Sequence, residues 1–118
     1  MVLNHAVHAI PDLSSGPPEA EAMVRRLLAA TAAGDYAAYL EPGTDRFKEG
    51  VSREMFEGVS RQVAGRLQAG YTLDYLAQMG QCEHRVFLWK VTFIDGDDDY
   101  VARLVLTVDN QVAGFMLN

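Results

Sequence analysis

Residues 84–94, HRVFLWKVTFI, decide the fold. Read with a period of two, they place Phe87, Trp89, Val91 and Phe93 on one side and Val86, Leu88, Lys90, Thr92 and Ile94 on the other. A helix would scatter that aromatic row around its circumference, so the stretch is a strand with two usable faces. Residues 71–79 repeat the pattern, with Leu73, Tyr75, Ala77 and Met79 alternating against Thr72, Asp74, Leu76 and Gln78. Gly80 to Glu83 is expected as the loop between the two strands. Beyond residue 94, Asp95, Gly96, Asp97, Asp98 and Asp99 turn the chain, residues 100–108 return, Asp109 and Asn110 make a tight hairpin turn, and residues 111–117 finish. Strands that follow one another through short polar turns pair with their neighbours, which gives a four-stranded antiparallel meander.

The first half has the other period. Residues 11–18 form a breaker cluster, PDLSSGPP, with Pro18 fit for the first turn of a helix. Over residues 19–33, Ala20, Met23, Val24, Leu27, Leu28 and Thr31 share one face while Glu21, Arg25 and Arg26 lie elsewhere. Gly34 stops this helix, and Asp35 caps a short one that turns Tyr36, Tyr39 and Leu40 to one side. After Pro42 and Gly43, Thr44 or Asp45 caps a turn of helix carrying Phe47. Ser52 opens a third main helix, in which Met55, Phe56, Val59, Val63 and Leu67 share a face. Gly58 and Gly65 inside it are costly, and close packing against a neighbour would explain them. The expected fold class is therefore α+β: N-terminal helices packed on a curled four-stranded antiparallel β-meander, with residues 1–18 an irregular leader and 19–118 a single domain.

Composition agrees with one domain and narrows the function. The 118 residues are 49% hydrophobic and 22% charged, which suits one core. A net charge of -6 and scattered basic residues disfavour nucleic acid as a partner. No apolar run approaches the roughly 20 residues that cross a bilayer, so no membrane partner is expected. Cys82 is the sole cysteine and cannot form an internal bridge, and a reducing cytoplasm is the default compartment. The aromatic row must cover the helices. On the opposite face, Leu76, Val86, Leu88 and Val105 are too apolar for bare solvent, and a homodimer packed through this outer sheet face follows.

At this point the chain resembles the nuclear transport factor 2-like superfamily, the cystatin-like α+β cone that includes polyketide cyclase-like proteins. The matching text is Leu27-Leu28-Ala29-Ala30 running into Ala33-Gly34-Asp35-Tyr36, the segments holding Phe47 and Phe56, residues 86–93, and Val112-Ala113-Gly114-Phe115. It covers residues 19–117 and looks like a small uncharacterised bacterial subgroup. The resemblance implies a conical pocket lined by the inner sheet face and dimerisation through the outer one. The catalytic sets of isomerase-like and dehydratase-like members match no positions here, and fold alone licenses no chemistry.

The side chains expected to line a pocket are Tyr36, Tyr39, Tyr75, Phe87, Trp89 and Tyr100, aromatic walls with a few polar tips. Ordinary core packing is the competing reading of the same residues. Asp74 and His84 are the ionisable candidates for acid and base work, with surface positions the plainer expectation, and Arg103 falls on the outer face by parity. The 95–99 carboxylates lack the spacing of a calcium loop and read as a hairpin tip. His5 and His8 lack a third metal ligand, and Cys82 beside His84 lacks any oxyanion device. No catalytic residue, metal or cofactor is assigned. The function expected is a small-ligand-binding or accessory domain with an apolar conical pocket. The alternatives are a lyase or isomerase acting on an apolar substrate, and a purely structural homodimeric module.

Overall fold

The computed structural model describes residues 16–118; most of the expected leader, with His5 and His8, lies outside the described residues. Helices α1 (Pro18–Ala33), α2 (Tyr36–Leu40), α3 (Asp45–Gly50) and α4 (Arg53–Ala69) precede strands β1 (Tyr71–Gln81), β2 (His84–Phe93), β3 (Tyr100–Leu106) and β4 (Val112–Leu117). The strands form one open antiparallel sheet in the order β1-β2-β3-β4, and the fold class is α+β.

Each helix boundary has a local cause. Pro18 occupies the first turn of α1, where a missing N–H costs nothing, and Glu19 and Glu21 face the positive end of its dipole. Gly34, at φ 68°, ends α1 in the left-handed conformation that returns its N–H to the last carbonyls. The Asp35, Thr44 and Ser52 side chains then accept from the backbone N–H groups of Ala38, Phe47 and Met55 at 3.0, 3.1 and 3.1 Å. The turn of helix expected around Phe47 runs to six residues, capped by Thr44. Gly43 is fixed by space, because a Cβ there would lie 2.3 Å from the Phe47 ring.

The core fills the space between helices and sheet. Phe87, Trp89, Val91 and Phe93 join Val24, Leu27 and Leu28 of α1, Val63 and Leu67 of α4, and Ala102 and Leu104 of β3 in one buried cluster. Two polar contacts lock α4 to the end of α1. Ser60 Oγ donates to the Thr31 carbonyl at 2.8 Å, and Gln68 Nε2 donates to the Ala32 carbonyl at 2.7 Å. Both carbonyls lie in the last turn of α1, and that of Thr31 also accepts from the Gly34 N–H of the cap at 3.2 Å.

Three features depart from the sequence reading. First, β1 bulges: Tyr75 sits opposite Trp89, but Ala77 sits opposite Leu88, so Leu76 is the extra residue. The bulge reverses the parity beyond it and moves Ala77 and Met79 from the inner face to the outer one. Second, the loop before β2 is tighter than Gly80 to Glu83. The strands run to Gln81 and from His84, leaving Cys82 and Glu83 as a two-residue turn at φ 49° and 69°. Third, Gly58 and Gly65 have no close neighbour, since a Cβ at either would meet nothing within 4 Å. Close packing does not explain them.

The open space around those glycines gives a clear expectation. Gly58→Ala and Gly65→Ala should each raise stability by about 0.5–1 kcal/mol, because alanine lowers the entropic cost of the helix and meets no obstacle. Urea denaturation of the single variants checks this, and a loss of stability at either site would mean that the helix face is occupied.

Candidate functional site: an apolar cavity beside strand β4

The α4 face that periodicity assigns to the core divides in two. Phe56, Val63 and Leu67 are buried with Ser60, whereas Met55 and Val59 stay 62% and 43% exposed. They stand at a cavity of about 250 Å3 bounded by α1, α2, the α3–α4 loop, α4 and the last residues of β4. Thr31, Tyr39, Val51 and Phe56 line it from the helical side together with Met55 and Val59, and Phe115, Met116 and Leu117 line it from the sheet side. Among the described residues no side chain that lines it carries a charge. Thr31 already donates its hydroxyl to the Leu27 carbonyl at 2.8 Å, so its donor is used.

Tyr39 supplies the free polar tip. Its ring lies 4.9 Å from Phe56, 5.7 Å from Phe47 and 6.3 Å from Phe115, an aromatic nest that fixes its position between helix and sheet. Burial pushes its phenol up to about 12, because the phenolate is poorly solvated there. At neutral pH the group is a neutral donor and acceptor.

The six aromatic residues named from sequence separate in space. Tyr39 lines the cavity. Tyr36 lies one layer out: it stacks at 5.6 Å on Phe56, donates its hydroxyl to the Val51 carbonyl, and carries the Arg53 guanidinium over its ring at 4.8 Å. Phe87 and Trp89 belong to the central core, their rings 6.0 Å apart. Tyr75 covers Trp89 at 5.6 Å and is itself met by Gly16. Tyr100 stands edge-on to Phe93 at 5.4 Å, at the opposite end of the sheet from the hairpin of Cys82.

The ionisable candidates do not converge. Asp74 is exposed opposite Lys90, while His84 lies opposite Gln81 six positions along β2, about 20 Å away at the usual rise per residue. The Nδ1 of His84 is buried without a hydrogen-bond partner. Cys82 is exposed in its turn. Arg103 lies on the outer face as parity predicts, and its guanidinium donates to Gln81 Oε1 at 3.2 Å, reaching diagonally over β2. Val86, on that same face, is only 1% exposed. The rest of the face includes Leu76, Met79, Val101 and Met116, all exposed.

The aspartates of the β2–β3 turn have a structural task. Arg66 grips both oxygens of Asp95 at 2.6 and 3.0 Å and donates to the Asp98 carbonyl at 2.9 Å. Its guanidinium also lies 3.9 Å over the Phe93 ring. The pairing holds the Asp95 carboxyl below its usual range and pins the hairpin to α4. Among the described residues no group of three or more His, Cys, Asp or Glu side chains is placed to hold a metal ion. No helix of the described residues is long and apolar enough to cross a membrane.

No family model matches the chain, and no curated protein matches it. Among solved structures, it is similar to an uncharacterized cystatin fold protein from Novosphingobium aromaticivorans, at 15% identity and a TM-score of 0.43, over 81% of this chain and 94% of that one. The α+β order and the meander rest on this chain's own register.

Tyr39 can be followed directly. In an ultraviolet pH titration, the Tyr39→Phe variant should lose a phenol that ionises near pH 12 in the native protein. An unfolded tyrosine ionises near pH 10, so the folded state binds more protons between those values and stability falls as pH rises through that window. Tyr39→Phe should flatten the fall; an unchanged alkaline profile would place the Tyr39 hydroxyl in water.

Proposed function

We propose that this chain is a small-ligand-binding or accessory domain, non-enzymatic, that holds an uncharged apolar group in the cavity beside β4. The observation that carries the reading is the cavity itself, about 250 Å3 with apolar walls and no lining charge. A cavity of about 150 Å3 with comparable walls takes up benzene, so this one is sized for a group of roughly ten heavy atoms. A carboxylate or ammonium would lose its hydration without finding a partner, which excludes charged groups from the interior. Tyr39 provides the polar contact, and Tyr36 holds the Phe56 wall from behind. Among the described residues Asp74 and His84 stand about 20 Å apart, which favours this over a lyase or isomerase.

The same proposal includes a homodimer through the outer sheet face. Leu76, Met79, Val101 and Met116 are exposed there beside Leu88 and Val105, and such a patch is unusual on a monomer. The bulge in β1 enlarges the patch beyond the residues that alternation alone would place in it.

The neutral fluorophore 1-aminonaphthalene tests the cavity, with 1-naphthoate as its charged counterpart. The neutral ring should bind and the carboxylate should not; Val59→Trp, which places bulk at the mouth, should weaken the neutral ring at least about tenfold. Equal binding of the two probes, or no effect of Val59→Trp, would sink the reading. For the interface, Leu88→Asp should convert dimer to monomer in light scattering. A mass unchanged by this substitution would exclude the outer face.

A further inference from the structure

Strand β4 presents more to the cavity than side chains. Val101 and Asn118 exchange both backbone hydrogen bonds, at 2.7 and 3.1 Å, and this fixes the phase of the β3–β4 ladder. Counting back along the register, Met116 opposite Arg103 and Gly114 opposite Val105 also direct their backbone groups toward β3. Phe115 and Leu117 therefore direct their N–H and C=O groups away from the sheet, along its open edge. Among the described residues nothing hydrogen-bonds to them. The two residues repeat at the spacing of an extended chain, and the cavity lies between them and Val51, Met55 and Val59.

The edge already accepts an extended segment one step earlier. At Val112 the register shifts, so that this residue also faces outward, and residues 42–44 pair with it in parallel. Thr44 N–H donates to the Val112 carbonyl and Val112 N–H donates to the Pro42 carbonyl, both at 2.9 Å. After Thr44 the chain turns into α3 and leaves the row unfinished. A guest strand would continue a pairing that the molecule has begun with its own backbone. The rest of β4 offers no obstacle, since residues 112–117 (VAGFML) carry neither charge nor proline, the usual guards of an open edge.

We infer that the β4 edge binds an extended, uncharged segment of a partner polypeptide, which adds a strand beside Phe115 and Leu117 and inserts one apolar side chain into the cavity. The inference rests on the cavity being a binding site and deepens it by naming what carries the apolar group. The backbone groups supply direction and register, and the cavity selects a leucine- or phenylalanine-sized side chain. A charged residue at the inserted position would be rejected, because no lining group can pair with it.

The test selects binders from a displayed random heptapeptide library with the full chain. Recovered peptides should be proline-free in their centre and carry an apolar residue at one fixed position. Methylating the two amide nitrogens that face β4 in a recovered peptide should weaken it about tenfold or more, as expected for two lost hydrogen bonds. Leu117→Pro removes an outward N–H that β3 does not use, and should cause a similar loss of peptide binding. Should that variant unfold, the methylated peptides decide the matter with the native protein. Peptides indifferent to methylation at every amide would overturn the inference. So would a library that yields no binder while 1-aminonaphthalene binds, an outcome that leaves the cavity reading standing. If neither binds, both fall. If native Leu117→Pro instead turns a dimer into a monomer, the edge belongs to a second copy and the partner-peptide inference fails.

Discussion

The side chains of Phe87, Trp89, Val91 and Phe93, at most 2% exposed, can leave water only if an apolar layer lies over β2. Helices α1 and α4 are that layer, and the rest of the molecule follows from keeping them there. Each of the four side chains is worth about 1.5–3 kcal/mol when fully buried, so their burial outweighs any single surface contact. Near its end α1 lies against α4, and two of its carbonyls take donors from that helix. Ser60 and Gln68 supply them, and Arg66 continues the same helix to the β2–β3 turn, where it holds Asp95. One helix thus carries core contacts, a cap for its neighbour and the anchor for a hairpin.

That arrangement decides where empty space remains. Trp89 and Phe87 are large, fully buried and sit in the middle of the sheet. Toward β4 the sheet offers Phe115 and Leu117, and the helices offer Tyr39 and Phe56. Close packing of these groups would require Met55 and Val59 to reach inward, but both stay largely in solvent. The cavity is the consequence of a helix that packs tightly along Ser60 to Leu67 and loosely near its start. Apolar exposure at that start is what a mouth looks like, rather than a failure of the core.

Sequence periodicity was sufficient for the strands, the helices and the inner row, because a side chain's face in a strand depends only on parity and the aromatic row could serve one purpose. Parity fails at a bulge. Nothing in the run Tyr75-Leu76-Ala77 announces the extra residue, whose position is set by twist and by the neighbours across β2. The α4 pattern misleads for a different reason. Met55 and Val59 fit the apolar stripe, yet Ser60 takes a buried place, where its hydroxyl donates to the Thr31 carbonyl near the end of α1. That contact is a tertiary fact, as is the cavity, whose walls come from four separated stretches of chain. Of the six aromatic residues picked for a pocket, only Tyr39 meets the cavity, since aromatic character marks burial without saying whether the space beside it is filled.

The two edges of the sheet differ in a way that matters for function. An unpaired edge exposes hydrogen-bonding groups to any passing strand, and proteins normally blunt it with charge, proline or a bulge. Strand β1 carries Asp74 on its surface and a bulge at Leu76, which bends the edge and spoils its regularity. Strand β4 has its irregularity at the Val112 end, where residues 42–44 already occupy the edge, and none at Phe115 to Leu117. The unguarded stretch is therefore short, regular and apolar, and it borders the cavity. If aggregation were the only pressure on this surface, a lysine at position 116 would cost the core nothing, because Met116 is 51% exposed. The β4 edge is thus open where guarding it would be cheap, and the open stretch is the one that borders the cavity.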